Sequence, residues 1–121
     1  MPRLSQMFIK SAVIYVIIGM LLGIAMGMKQ DFTLAPAHAH LNLIGWVSLA
    51  LMGLYYNAVP AKAQWRSAHV QFWLSTLGVW VMIPGLVLTL LQVPPGEVLV
   101  ILGSLITLAG MILFAVNVYR S

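Results

Sequence analysis

Residues 8–28 read FIKSAVIYVIIGMLLGIAMGM, and only one of these 21 side chains, that of Lys10, is charged. A helix rises about 1.5 Å per residue, so about 20 apolar residues cross the roughly 30 Å hydrocarbon core of a bilayer. The stretch is longer than the roughly 7–15 apolar residues of a signal-peptide core, and no small-residue cleavage site follows it. We therefore expect a retained membrane-spanning helix.

Three more apolar stretches of similar length follow along the chain. With the first, they cover about residues 8–28, 38–59, 69–91 and 97–119. The segments between them are short and contain polar side chains or prolines, which cannot continue a helix. Because these segments leave no room for a soluble domain, residues 1–121 are expected to form a single all-α integral membrane domain, a bundle of four transmembrane helices.

The composition of the chain supports the same class. Of its 121 residues, 62% are hydrophobic and 7% are charged, against about 45–50% and about 25% in soluble domains. The absence of cysteine excludes disulfides, iron–sulfur ligation and cysteine nucleophiles. The net charge of +4 comes from single cations rather than a basic cluster, so no nucleic-acid partner is expected. The expected partner is the lipid bilayer.

The positions of the cations predict the orientation. If successive helices alternate in direction, five cations fall on one side of the membrane: Arg3, Lys10, Lys62, Arg66 and Arg120. Lys29 falls on the other side with both acidic residues, Asp31 and Glu97. Since segments rich in Lys and Arg stay in the cytoplasm, both termini are expected there, in a multi-pass protein of a bacterial-type inner membrane.

Small residues mark one helix surface for close packing. Gly19, Gly23 and Gly27 recur every four residues and therefore share one face of the first helix. Such glycine faces let membrane helices approach closely. The face is expected to pack either against another helix of the chain or against a second copy.

The densest polar group opens the second apolar stretch, with the sequence AHAHLN at residues 37–42. At about 100° per residue, His38 and His40 project about 200° apart. We expect His38 to point into the bundle from a mixed face, and His40 to point towards lipid or a second copy from an aliphatic face. The face of His38 also carries Asn42, Gly45, Leu49, Met52 and Tyr56, and that of His40 carries Ile44, Val47, Leu51 and Leu54.

Histidine at this position is a candidate metal ligand. Imidazole commonly binds haem iron, copper and zinc, and ionisable groups in membrane helices are costly enough to indicate a function. His38 and His40 are the candidate ligands, unless headgroup water satisfies them. Asn42 is expected to bond a ligand ring or cofactor edge, or to cap local backbone. His69 begins the third stretch, on the opposite side, and cannot share their metal.

A resemblance to a known family rests on these residues. Residues 36–46, PAHAHLNLIGW, running on to MGLYY at 52–56, resemble the second transmembrane helix of the haem-copper oxidase catalytic subunit. The likeness is nearest to the nitric-oxide-reductase and cbb-type branches, and the chain resembles the small subunit-I-like proteins of this superfamily. The third stretch, with VQFWL at 70–74, resembles the next helix less specifically.

The resemblance implies a role for the first histidine. In the large enzymes it is an axial ligand of the low-spin haem b near the extracytoplasmic face, a role that falls here on His38. His40 occupies the following polar position, where the large enzymes need not have histidine. The expected function is that of a small b-type haem protein, in electron transfer or in haem or gas binding. A respiratory-chain protein is a candidate partner.

The differences from the family limit this expectation. The later helices that carry the second haem ligand and the copper histidines are missing from this sequence. Reduction of oxygen or nitric oxide by this chain alone is therefore not expected. If haem b is bound by two histidines, the second has to come from another copy, which implies a homo-oligomer, or from His40. A single histidine would instead leave a vacant position for a gas or peroxide.

Two other functions remain open from the sequence. His38 and His40 could hold copper or zinc at the extracytoplasmic rim without haem. Alternatively, the chain could be a cofactor-free accessory or assembly subunit of a respiratory complex, in which case it would co-purify with a larger partner.

Overall fold

The computed structural model describes residues 1–121, and its regular elements are all helical. The four long helices are α1 (Arg3–Lys29), α2 (Ala35–Ala58), α3 (Arg66–Leu90) and α4 (Gly96–Tyr119). Each is long and apolar enough to cross a membrane. A short 3₁₀ turn, Lys62–Gln64, lies between α2 and α3.

The predicted all-helical fold with four long apolar helices is confirmed, but the helices begin earlier than the apolar stretches. The clearest case is α1, which begins at Arg3 rather than near residue 8. Leu4 and Phe8 of its first turns are buried, so packing extends the helix beyond the segment that hydropathy marks. Hydropathy finds the segment that suits a hydrocarbon core, whereas a helix continues into its polar first turn.

The helices form two antiparallel hairpins, α1 with α2 and α3 with α4. Gly53, late in α2, packs against Phe8, early in α1. Gly23, late in α1, packs against His38, early in α2. The first and last turns of neighbouring helices therefore lie side by side.

Glycines spaced seven residues apart form the seam of the second hairpin. They are Gly78 and Gly85 on α3, and Gly96, Gly103 and Gly110 on α4. A methyl group on Gly103 would lie 2.5 Å from the backbone nitrogen of Met82. Only glycine allows the two backbones to meet this closely, which is how helices adhere where lipid removes the hydrophobic driving force.

Aromatic side chains join the two hairpins, with one ring from each helix. Phe8 of α1 lies between Tyr56 of α2 and Phe72 of α3, with ring centroids 5.6 and 4.9 Å away. Phe114 of α4 closes the group at 5.9 Å from Tyr56. Edge-to-face aromatic pairs contribute roughly 0.5–1.5 kcal/mol beyond their buried area. This cluster fixes the relative position of all four helices.

The antiparallel order gathers the cations at one end of the bundle. We call this the cationic end; it carries Arg3, Lys10, Lys62, Arg66 and Arg120. Asp31 and Glu97, the two acidic residues, lie at the opposite end with Lys29. His38 also lies at the opposite end, three residues after the start of α2.

Candidate functional site

His38 lies in the first turns of α2 and faces α1. Its ring covers Gly23, where a methyl group would lie 2.9 Å from Cε1. One turn later, the amide of Asn42 fills the space beside Gly19. Two of the three glycines of α1 therefore form an internal groove that accepts the polar side chains of α2. The third, Gly27, has no atom within 4 Å of an added methyl group.

Hydrogen bonds indicate the tautomer of the neutral His38 ring. Nδ1 lies 2.7 Å from the carbonyl oxygen of Gly19. Because a carbonyl oxygen only accepts, Nδ1 must carry the proton. Nε2 then holds the lone pair, and the amide nitrogen of Asn42 donates to it across 3.3 Å, longer than the usual ~2.9–3.0 Å. Metal-binding histidines typically donate one ring N–H to a backbone carbonyl in this way.

A local change in helix type lies directly beside this histidine. Residues Leu41–Val47 of α2 form a π-helical segment, a rare geometry that is frequent at functional sites. Asn42 belongs to this segment, and its Oδ1 is buried without a hydrogen-bond partner. A buried acceptor without a partner costs free energy. The irregular backbone and the unpartnered oxygen therefore coincide one turn from the imidazole of His38.

The predicted division of α2 into an inner and an outer face is largely confirmed. The residues that share the face of His38 and are buried are Gly45, Leu49, Met52 and Tyr56. The exposed residues on the face of His40 are Val47, Leu51 and Leu54. Ile44 was expected on that outer face but lies in the π-helical segment and packs against the core.

The structure brings His38 and Asn42 together but not His38 and His40. The His40 side chain is exposed, and its Nδ1 donates to the carbonyl oxygen of Pro36 at 2.7 Å. His69 is exposed on α3 at the cationic end, far from both. The candidate site therefore contains one imidazole that faces α1, with Asn42 as its neighbour.

A single histidine limits which metal the site suits. No group of three or more His, Cys, Asp or Glu side chains is placed to hold a metal ion. Protein zinc sites need three or four such ligands, so a copper or zinc site shared by His38 and His40 gains no support. Haem iron takes four ligands from its porphyrin and needs only axial ligands from the protein. Around His38 the structure offers one imidazole nitrogen, Nε2, with the amide of Asn42 beside it.

The loop before α2 contains one carboxylate side chain, that of Asp31. Asp31 accepts hydrogen bonds from the hydroxyl and the backbone nitrogen of Thr33, at 2.6 and 3.1 Å. These bonds, the hydroxyl's first, hold the pKa of Asp31 below its ordinary value. The ionised carboxylate is thus engaged in closing the turn that leads into α2.

A second polar cluster, nearer the cationic end, is one that sequence reasoning missed. The hydroxyl of Tyr56 donates to Gln71 at 3.1 Å and accepts from the amide of Asn117 at 3.1 Å. Gln71 also donates to Ser75 at 2.8 Å, and Asn117 accepts from Ser67 at 2.8 Å. Ser67, Gln71 and Ser75 recur every four residues, which is the sequence signal that identifies a polar face on α3. The bonds join α2, α3 and α4.

Lys62 adds a charged group to the same end. Its ammonium donates to the carbonyl oxygens of Asn117 and Val118 at 2.9 and 3.0 Å, and to the hydroxyl of Tyr55 at 3.0 Å. The last carbonyls of a helix lack intrahelical partners and carry partial negative charge. Lys62 therefore caps α4 from the α2–α3 connection.

Comparison of the chain with protein-family models, with curated proteins and with solved structures gives no match. What the fold and the site define is a class: a four-helix apolar bundle with one inward-facing imidazole held by a backbone carbonyl. Fold alone does not determine function, so the chemistry of His38 and its neighbours has to carry the functional proposal.

Proposed function

We propose that the chain is an integral protein of a bacterial-type inner membrane, with both termini in the cytoplasm. Large apolar side chains on the outer faces support insertion; Ile17, Leu51 and Ile112 are each more than half exposed. Leaving such surfaces in water costs about 25 cal/mol per Å² of apolar area, and lipid removes that cost. The gathering of five cations at one end supports a cytoplasmic location for that end.

Single-cysteine variants test this orientation. Because the chain contains no cysteine, Gln30→Cys in the α1–α2 loop and Ser121→Cys at the C-terminus each introduce one reactive thiol. A membrane-impermeant maleimide added to spheroplasts is expected to label Gln30→Cys and to spare Ser121→Cys until lysis. The reverse pattern contradicts the orientation, and labelling of both before lysis contradicts insertion.

Within this bundle, His38 would hold haem b through Nε2. The supporting observation is the 2.7 Å hydrogen bond from Nδ1 to the carbonyl of Gly19, which leaves the lone pair on Nε2 and fixes the ring plane. The groove of α1 holds the ring against Gly23 and so restricts its rotation. Haem, when bound, supplies reversible one-electron chemistry or a gas-binding site. The protein acts in electron transfer, or in haem or gas binding.

Asn42 is the neighbour of the proposed ligand atom. Its amide donates to Nε2 of His38 over 3.3 Å, and this long bond would have to be released for Nε2 to hold iron. Its Oδ1 already lacks a partner, so the whole amide becomes free to bond a polar edge of the ligand. Asn42 therefore positions the imidazole before the haem binds.

A homo-oligomer follows from the single inward histidine. His40 is exposed and bonded to Pro36, so it cannot supply a second axial ligand beside His38. If haem is held by two protein ligands, the second would have to come from another copy of the chain, which makes the protein a homo-oligomer. The electron donor or acceptor is then a respiratory-chain partner.

An absorption spectrum of the detergent-purified chain, supplemented with haem b, tests the ligand. The wild type is expected to show a Soret band. His38→Ala is expected to lose it, while His40→Ala and His69→Ala keep it. Circular dichroism at 222 nm provides the folding control. A colourless wild type contradicts haem binding, and a pigmented His38→Ala with a colourless His69→Ala contradicts the placement of the site.

The same preparations distinguish haem binding from the two other functions, bare-metal binding and a role as an accessory subunit. A haem-to-chain ratio of about one to two, with no shift of the Soret band by carbon monoxide, supports ligands from two copies. Copper or zinc that is lost from both His38→Ala and His40→Ala, without any pigment, contradicts the haem proposal. A colourless protein that co-purifies with a larger respiratory complex, unaffected by either substitution, contradicts it as well.

A further inference from the structure

A groove runs along the outer surface of α3 from the cationic end. It has a volume of about 360 Å³ and is lined by Arg66, His69, Val70, Trp73, Leu74 and Leu77. The two polar residues lie at its start, in the first turn of α3, and the four apolar residues follow. The groove is thus amphipathic along its length, cationic at the end of the bundle and apolar towards its middle.

The length of the groove matches half of a bilayer. Eleven residues separate Arg66 from Leu77, which at about 1.5 Å per residue is a rise of roughly 16 Å. Half of a hydrocarbon core about 30 Å thick is ~15 Å. A molecule with its polar group at Arg66 and its chain along Trp73 and Leu77 therefore spans one leaflet.

The charge at this end selects an anion. Arg66 is exposed at the start of the groove. The guanidinium of Arg120 lies 4.4 Å from the ring centroid of the neighbouring Trp65, so a second arginine is close by. Both acidic residues of the chain, Asp31 and Glu97, lie at the opposite end of the bundle. No Asp or Glu side chain of this chain therefore lies near Arg66 to neutralise it.

A second groove repeats the arrangement on α4. It has a volume of about 470 Å³ and is lined by Ile112, Ala115, Val116, Tyr119 and Arg120. Here too an arginine lies at the end of the helix and aliphatic side chains lie deeper. The same pairing of a cation with a shallow apolar groove on two helices indicates that this end of the bundle suits anionic amphiphiles.

We propose that the groove headed by Arg66 and His69 binds an anionic phospholipid of the cytoplasmic leaflet. The guanidinium of Arg66 pairs with the headgroup phosphate, and the imidazole of His69 offers a further N–H donor. The acyl chain lies against Val70, Trp73, Leu74 and Leu77. This inference rests on the proposed membrane insertion with a cytoplasmic cationic end, but it requires no haem.

Native mass spectrometry of the detergent-purified full chain tests the site, with phosphatidylglycerol and phosphatidylcholine of the same acyl chains as probes. An exposed ion pair contributes up to about 1 kcal/mol, which corresponds to about a fivefold difference in affinity. The wild type is expected to bind phosphatidylglycerol about fivefold more tightly than phosphatidylcholine. Arg66→Gln is expected to remove that preference.

Lys29→Gln is the matched control, because it removes one exposed cation from the opposite end of the bundle. It is expected to keep the wild-type preference. Equal binding of the two lipids by the wild type, or equal losses in Arg66→Gln and Lys29→Gln, overturns the proposal. A change in the number of chains per complex in Arg66→Gln, with unchanged lipid binding, overturns it in favour of a second copy as the occupant.

Glycerol 3-phosphate distinguishes the lipid from its headgroup. At millimolar concentration it is expected to leave bound phosphatidylglycerol in place, because the apolar part of the groove contributes to binding. Full displacement of phosphatidylglycerol by glycerol 3-phosphate would show that the site binds the anionic headgroup alone, and it overturns the lipid assignment. Since these measurements are made in detergent, their failure is distinct from a failed topology in the cysteine-labelling experiment.

Discussion

The imidazole of His38 occupies the space that a side chain at Gly23 would need. A methyl group there would lie 2.9 Å from Cε1 of the ring. The atom in the way is the end of a side chain and not backbone, so Gly23→Ala is expected to displace the ring while the helices stay in place. If His38 holds haem as proposed, haem bound per chain should fall about tenfold, which corresponds to a loss of about 1.4 kcal/mol in the free energy of haem binding.

Gly27→Ala is the control for this substitution. It makes the same chemical change one turn further along α1, where an added methyl group has no atom within 4 Å. Its haem content should stay within about twofold of the wild type, and the helical signal at 222 nm should be unchanged in both variants. Equal pigment in the two alanine variants contradicts the contact between His38 and Gly23 as the feature that orients the ligand.

The α3–α4 seam should tolerate no added carbon. At Gly103 an added methyl group would lie 2.5 Å from the backbone nitrogen of Met82, and backbone cannot turn aside as a ring can. Overpacking of this kind typically costs about 1–3 kcal/mol. Thermal unfolding of Gly103→Ala in detergent, followed by circular dichroism, should therefore begin at a lower temperature than that of Gly27→Ala. A melting curve equal to that of Gly27→Ala contradicts a seam of backbone contact.

Much of this architecture was predictable from hydropathy and helical period. The four apolar stretches located the helices, and the spacing from His38 to Asn42 and on to Tyr56 identified the inner face of α2. The location of a helix and the identity of its inner face both depend on the pattern of apolar residues along that helix, and this pattern is visible in a single sequence. The prediction that Gly19 and Gly23 serve close packing is confirmed within the chain, although the sequence left a second copy open.

Other features depend on contacts between helices and were not predictable in the same way. No residue composition or spacing identifies the π-helical segment Leu41–Val47 in the sequence. Ile44 lies in this segment and packs against the core. The partners of Asn117 come from Ser67 and Tyr56, which are 50 and 61 residues away, so only the fold reveals them. The haem ligand set remains a prediction, because it depends on a cofactor and on a second copy.

Lys62 should contribute to stability although it is charged. Its ammonium bonds the carbonyl oxygens of Asn117 and Val118 and the hydroxyl of Tyr55. Hydrogen bonds to a charged group contribute roughly 1.5–3 kcal/mol where they are buried, and partial exposure here places the expected loss in Lys62→Met at the lower end. Lys29→Met, which removes an exposed cation, should change thermal unfolding little. Equal melting temperatures in the two variants contradict a capping role for Lys62.

The hydroxyl of Tyr56 links helices that the glycine seam does not join. It accepts from Asn117 of α4 and donates to Gln71 of α3, and all three side chains are buried. Tyr56→Phe keeps the ring that stacks on Phe8 but leaves two amide groups without this partner. Hydrogen bonds between membrane helices average about 0.6 kcal/mol in double-mutant cycles, with a maximum near 1.7. We expect a loss of about 1 kcal/mol in the free energy of unfolding.

Tyr119→Phe is the control for this substitution. Tyr119 is 89% exposed, so removal of its hydroxyl should leave the free energy of unfolding unchanged. A cycle of Tyr56→Phe and Asn117→Leu isolates the pair. If the hydroxyl acts through Asn117, the double variant should be more stable than the sum of the single losses predicts, since the second change removes an amide that the first left unpaired. Strict additivity would contradict a contribution of the hydroxyl through Asn117.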